Sequence, residues 1–238
     1  MGRISPQDTE HNRQRDEAVT APSHIAPLEE PGELVRVARE MLAMGLVTGT
    51  SGNLSVRLAD DTVLVTPSGV AYSTMRAEDL VAVDLDGHAI GHGLEPSVDT
   101  MTHLAIYSSR SDVRAVIHTH SPYATAFSTV HRPIPSLITE YAGFLGGDVR
   151  LIDYLPPAMP ALAYRMAEGI GQDRAVLLPN HGVIAVGENL PKAFHAAVVV
   201  EESARVAFLA LHLGTPHPVP PSEIERMGAF IHHQYGQR

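Results

Sequence analysis

The chain has 238 residues, which suits one domain or at most two small ones. Hydrophobic residues make up 44% and charged residues 18%, the balance of an ordinary soluble globular protein. A net charge of −10 argues against nucleic acid or an anionic membrane as the main partner, and the lack of cysteine excludes disulfides, thiolate catalysis and cysteine zinc sites.

Residues 1–28 are polar, of mixed charge and without periodicity. They predict a disordered or loosely docked arm ahead of one domain over 29–238. No apolar run approaches the ~20 residues of a membrane span. Residues 1–20 lack the apolar core of a signal peptide, so the cytoplasm is the expected compartment. Leu34, Val35, Ala38, Met41 and Leu42 follow helical spacing, which predicts a helix over 30–46 that Gly45 ends.

Next comes Thr48-Gly49-Thr50-Ser51-Gly52-Asn53-Leu54-Ser55, leading into a strand at Leu54–Arg57. Bare N–H groups, hydroxyls and an Asn amide in such a loop can cradle an oxyanion, although alone it reads as an ordinary tight turn. Residues 63–66 predict a strand into Pro67-Ser68-Gly69, a second turn with exposed donors. Val81–Leu85 predicts another strand, Asp86-Gly87 a hairpin, and 87–95 a loose returning strand on which His88 and His92 are surface residues.

The chemistry concentrates between Glu95 and Thr125. Asp99 and His103 stand i,i+4 on a predicted helix whose N-cap is Ser97. Val113, Val116 and Ile117 then lead a β-strand into His118-Thr119-His120. Alternate residues of a strand share a face, so His118 and His120 point the same way and form half of a zinc site. A His-x-His on its own is also what a polar strand at a sheet edge carries.

Beyond it, Pro122–Thr129 predicts a short helix, Ile134-Pro135 a turn and strand towards Glu140 and Tyr141, and Gly143, Gly146 and Gly147 a loop. Val149–Tyr154 predicts a strand, Pro160–Ile170 a helix and Ala175–Leu178 a buried strand. Pro179-Asn180-His181-Gly182 makes a tight reversal with His181 at its tip, ahead of a strand at Val183–Val186. A long helix over Pro191–Leu213 and a final short helix including Tyr235 complete the chain. The single lysine, Lys192, sits in a polar turn, which argues against Schiff-base chemistry. Short strands among helices, with several hairpin signals, point to a mostly antiparallel sheet covered by helices.

Taken together, Gly-Thr-Ser-Gly-Asn, Thr-Pro-Ser-Gly, Pro-Ser-Val-Asp, His-Thr-His-Ser and Asn-His-Gly, in this order over about residues 32–213, resemble the class II aldolase/adducin family. The resemblance implies a single α/β/α domain around a mostly antiparallel sheet, and a homotetramer with active sites between subunits. It implies zinc, or manganese or cobalt, on His118, His120 and His181, with Asp99 as base or further ligand. It implies a substrate phosphate on Thr50, Gly52, Asn53, Ser68, Gly69 and Ser97. Tyr141 and Tyr235 are the candidates for protonating a departing alkoxide.

The implied activity is aldol cleavage of a phosphorylated ketose through a zinc-stabilised enediolate. Epimerisation of a pentulose phosphate, decarboxylation of a β-oxo sugar acid or dihydroxy-aromatic acid, and a non-catalytic adducin-like role are the alternatives. Two departures bear on the choice. Aldolases of this kind carry Ser-Ser-Glu where this chain has Ser97-Val98-Asp99, so Val98 removes a hydroxyl that would donate to phosphate. Asp99 matches the epimerase, yet Gly143 stands where the epimerase has a catalytic aspartate.

Overall fold

Alternation of buried side chains along short β-branched runs builds a single sheet. The computed structural model describes residues 31–154 and 160–234; the expected arm over 1–28, and Tyr235, lie outside the described residues. Its strands are β1 (Asn53–Arg57), β2 (Val63–Val65), β3 (Val81–Val83), β4 (Ala115–Thr119), β5 (Ala175–Leu178) and β6 (Gly182–Gly187). They pair antiparallel in the order β3-β2-β1-β4-β6-β5, so the histidine strand β4 is central.

Helices cover both faces of this sheet. Leu54 and Val56 of β1, Ala115 and Ile117 of β4, and Val183 and Ala185 of β6 face α1 (Pro31–Ala43) and α6 (Leu190–Leu213). Val116 of β4 and Ile184 and Val186 of β6 face α2 (Thr100–Ser109) and α5 (Pro160–Ile170). This period-two split is what buries a sheet on both sides. The shorter α3 (Pro122–Thr129) and α4 (Thr139–Leu145) lie on the α6 side, and α7 (Pro221–His233) packs on α4.

Several expectations change. The returning strand at 87–95 is reduced to one bridge, Val83 to Ala89, because Gly87 and Gly91 adopt positive φ and break the extended run. The strand expected at Val149–Tyr154 makes isolated bridges at Val149 and Leu151 only. The segment reaching Glu140 and Tyr141 is helix α4, ended by Gly146 at φ 89. Gly143 belongs to that helix rather than to a loop. A Cβ there would lie 2.7 Å from Met227 Cβ, so its bareness admits α7. Finally, α2 begins at Thr100, which puts Asp99 rather than Ser97 at the N-cap position. Ser97 is one turn earlier, its carbonyl accepting from Thr100 Oγ1 at 2.6 Å.

Candidate metal centre

β4 and the turn between β5 and β6 bring three imidazoles together. His118 and His120 project from β4 and the residue that follows it, and His181 stands just before β6. Antiparallel pairing of Thr119 with Val183 sets these two segments side by side. His118 Nε2 lies 2.9 Å from His120 Nε2 and 3.3 Å from His181 Nε2. A tetrahedral ion with nitrogen ligands at ~2.0–2.1 Å separates those nitrogens by about 3.3–3.4 Å, so these two separations match a divalent cation to within about half an ångström.

The protonation states suit that task. His118 is 1% exposed, and its Nδ1–H donates to Val183 O at 2.9 Å, which leaves the Nε2 lone pair facing the cluster. Burial pushes the His118 imidazole down to about 3, against the pull of the Asp99 carboxylate. Burial also lowers His120, helped by His181 beside it. Neutral imidazoles are the form that binds metal.

Glycine makes the convergence possible. A Cβ on Gly182 would meet Thr119 O and sit 2.9 Å from His120 Cδ2 and 3.3 Å from His118 Cε1. Gly52, at φ 74, lies so close to β4 that a Cβ would be 2.7 Å from His118 O.

Asp99 is half-buried beside the cluster, its Oδ2 at 3.9 Å from His118 Nε2. Burial alone would push its carboxyl up. His118 and the Asn53 amide outweigh that and hold it below the usual carboxylate range. Asn53 Nδ2 donates to Asp99 Oδ2 at 2.7 Å, so the first loop is tied to the carboxylate. On its outer side Asp99 lines an open groove of about 1000 Å³ between α2 and α5, together with Val98, Met101, Thr102 and Tyr164.

The other loop residues assemble around this point. Pro67 bridges Pro96, Ser68 N donates to Glu95 O at 2.9 Å, and Ser97 N donates to Thr66 O at 3.1 Å. Ser68, Gly69 and Ser97 are thereby held in adjoining loops. Ser68 and Gly69 are exposed, whereas Ser97 is buried. Thr50 is exposed in the turn that Ser51 closes on Thr48. Tyr141 is the candidate that the fold keeps apart. It packs on the α6 side of the sheet, opposite the face that carries His118.

Three supports went unread in the sequence. Tyr72 O–H donates to Gly52 O at 2.6 Å and pins the first loop; no local pattern announces it. Glu201 of α6 accepts from the N–H groups of Tyr123 and Ala124 at 3.0 and 2.9 Å, capping the helix that follows His120. Beneath Asp99, Ser55 Oγ joins His103 Nδ1 at 2.8 Å and Tyr107 O–H at 2.7 Å in the core. The i,i+4 spacing of His103 and Tyr107 on α2 could have suggested that last cluster.

Comparison with known proteins agrees with this geometry. Residues 32–208 match the family described as Class II Aldolase and Adducin N-terminal domain. The chain is 35% identical over 211 residues to 5-deoxy-D-ribulose 1-phosphate aldolase of Bacillus thuringiensis serovar kurstaki, covering 88% of this chain and 98% of that one. It is 38% identical over 178 residues to L-ribulose-5-phosphate 4-epimerase UlaF of Salmonella paratyphi C, covering 70% and 78%. Among solved structures, an L-fuculose 1-phosphate aldolase superposes with TM-score 0.82 at 33% identity, over 88% of this chain and 99% of that one.

Proposed function

The chain belongs to the class II aldolase and adducin family, and from that premise we propose that it is a metal-dependent lyase cleaving a ketose 1-phosphate by retro-aldol reaction. The observation that carries the reading is the set of three imidazoles converging beside a half-buried carboxylate. His118, His120 and His181 would hold the metal, with zinc the first choice for a site of imidazole nitrogens. A divalent ion there supplies Lewis-acid polarisation of a carbonyl oxygen.

The chain's own residues supply the rest. Asp99 stays ionised at neutral pH and is placed to accept a proton from a hydroxyl or carbon brought against the cluster. Asn53 orients that carboxylate through its amide. The loops of Thr50, Gly52, Asn53, Ser68, Gly69 and Ser97 offer hydroxyl and backbone donors to a phosphate. The Val98 side chain, on a residue 83% exposed, offers it no hydrogen bond. Tyr141, on the opposite side of its own sheet, would protonate the leaving oxygen only from a neighbouring copy. That agrees with the homotetramer the family resemblance implies.

Hydrogen exchange of dihydroxyacetone phosphate tests the reading. The metal-loaded protein in heavy water is expected to exchange one C3 proton, seen by NMR, and a chelated control is not. Metal bound at full stoichiometry without exchange would sink the ketose 1-phosphate reading. The second reading, epimerisation of a pentulose 5-phosphate, draws on Asp99 in place of glutamate and on the 38% identity to the epimerase. It would then be assayed directly.

A further inference from the structure

His181 differs from the other two imidazoles in its support. His118 is fixed in β4 and by its bond to Val183 O, and His120 runs straight into α3. His181 rides on a turn, and the residue before it, Asn180, is held at φ 56. A second residue other than glycine has a similar conformation nearby: His131, at φ 52.

His131 stands just past the end of α3. Its N–H donates to Ser128 O at 3.2 Å, and Arg132 N–H donates to Phe127 O at 3.1 Å. That pair of bonds is a Schellman stop, whose left-handed residue is ordinarily glycine. Histidine in this position gives up the freedom that glycine would bring. What it gains is reach. His131 Nε2–H donates to Asn180 Oδ1 at 2.7 Å. Asn180 N–H in turn donates to Ser128 O at 3.3 Å, the same carbonyl that accepts from His131 N–H. Helix α3 therefore begins next to His120 and ends on the residue that carries His181.

We infer that His131 is a positioning residue, latching Asn180 so that the His181 imidazole is held ready for metal. The inference rests on reading His118, His120 and His181 as a metal centre. Both latch residues are exposed, so replacing them opens no cavity in the core. Asn tolerates left-handed backbone better than most residues, which suits it to position 180. Two non-glycine residues in that conformation, joined side chain to side chain, are a local conflict resolved by a function nearby.

Glycine variants separate positioning from mere stability. In His131→Gly and Asn180→Gly the backbone is relieved while the latch is lost. Zinc affinity, measured by competition with a chromophoric chelator, is expected to weaken about tenfold in each, the lower end seen for groups supporting metal ligands. The double variant should be no weaker than either single one, because one bond is removed in all three. The thermal midpoint without metal should hold or rise. The visible bands of the cobalt-substituted variants should shift from those of the wild type. A wild-type chain that binds no metal would overturn the metal reading and the latch with it. Wild-type binding with unchanged affinity and cobalt bands in both variants would overturn the latch alone. So would an affinity loss that merely tracks a fall in thermal midpoint.

Discussion

At Gly182 one hydrogen atom in place of a methyl group decides whether the imidazoles can meet. A Cβ there runs into the backbone of Thr119 as well as the rings of His120 and His118, so relief requires β4 and β6 to part. Gly182→Ala is expected to lose roughly 1–3 kcal/mol of stability, the usual range for overpacking. It is also expected to lose bound metal; urea unfolding and elemental analysis measure the two. Much of the site at this scale was legible beforehand. Strand alternation put His118 and His120 on one face, and Asn-His-Gly put His181 on a turn. The tie between Asn53 and Asp99 was not legible, because 46 residues separate them and only the closed sheet brings them together. Tyr72 was hidden for the same reason: its partner is a backbone carbonyl 20 residues away, and carbonyls carry no sequence signal.

Among the elements, α4 and α7 meet where Gly143 and Gly228 face each other. A Cβ on Gly143 would lie 2.7 Å from Met227 Cβ and 3.1 Å from Gly228 N; one on Gly228 would lie 3.1 Å from Gly143 O. Gly143→Ala should therefore push α7 off α4, even though alanine is the better helix former by about 1 kcal/mol. Hydrogen exchange is expected to speed up along α7 while the sheet stays protected. Unchanged exchange in α7 would mean that the crossing adapts to a methyl group. Misreadings of the sequence sit in this region and at Val149–Tyr154, besides the returning strand at 87–95 and the cap of α2. Glycines at 143, 146 and 147 read as a loop because glycine is a poor helix former, whereas one of them serves helix crossing and another ends the helix. By contrast β4, α3 and α5 were legible because burial on a sheet, or a proline at a helix start, leaves an unambiguous period.

For the molecule as a whole, buried imidazoles tie stability to acidity. His103 is fully buried, and burial pushes it down to about 4 from its ordinary 6.5. Below 6.5 the unfolded chain takes up a proton that the folded chain refuses, so folding weakens as pH falls. The contribution of His103 is level above about pH 6.5 and declines by up to ~1.4 kcal/mol per pH unit until about pH 4. Urea midpoints of the metal-free protein should fall through that window, with His118 and His120 adding to the slope, and His103→Gln should make the decline shallower by the His103 share. An equally steep decline in the variant would assign the acid sensitivity to other groups.

The position of β4 in the middle of the sheet also sets how the two halves of the site move. Its neighbours β1 and β6 pair with it on both sides, so releasing His118 means breaking two ladders at once. The loop of Ser68 and Gly69 hangs instead from β2, next to the edge strand β3, and is pinned by a bridge and two backbone bonds. Edge and loop segments open locally, while central strands open with the whole fold. On the proposed reading, the phosphate-loop half can thus breathe on a fast clock to admit and discharge substrate. His118 keeps a slow one, because it is released only when both ladders open together.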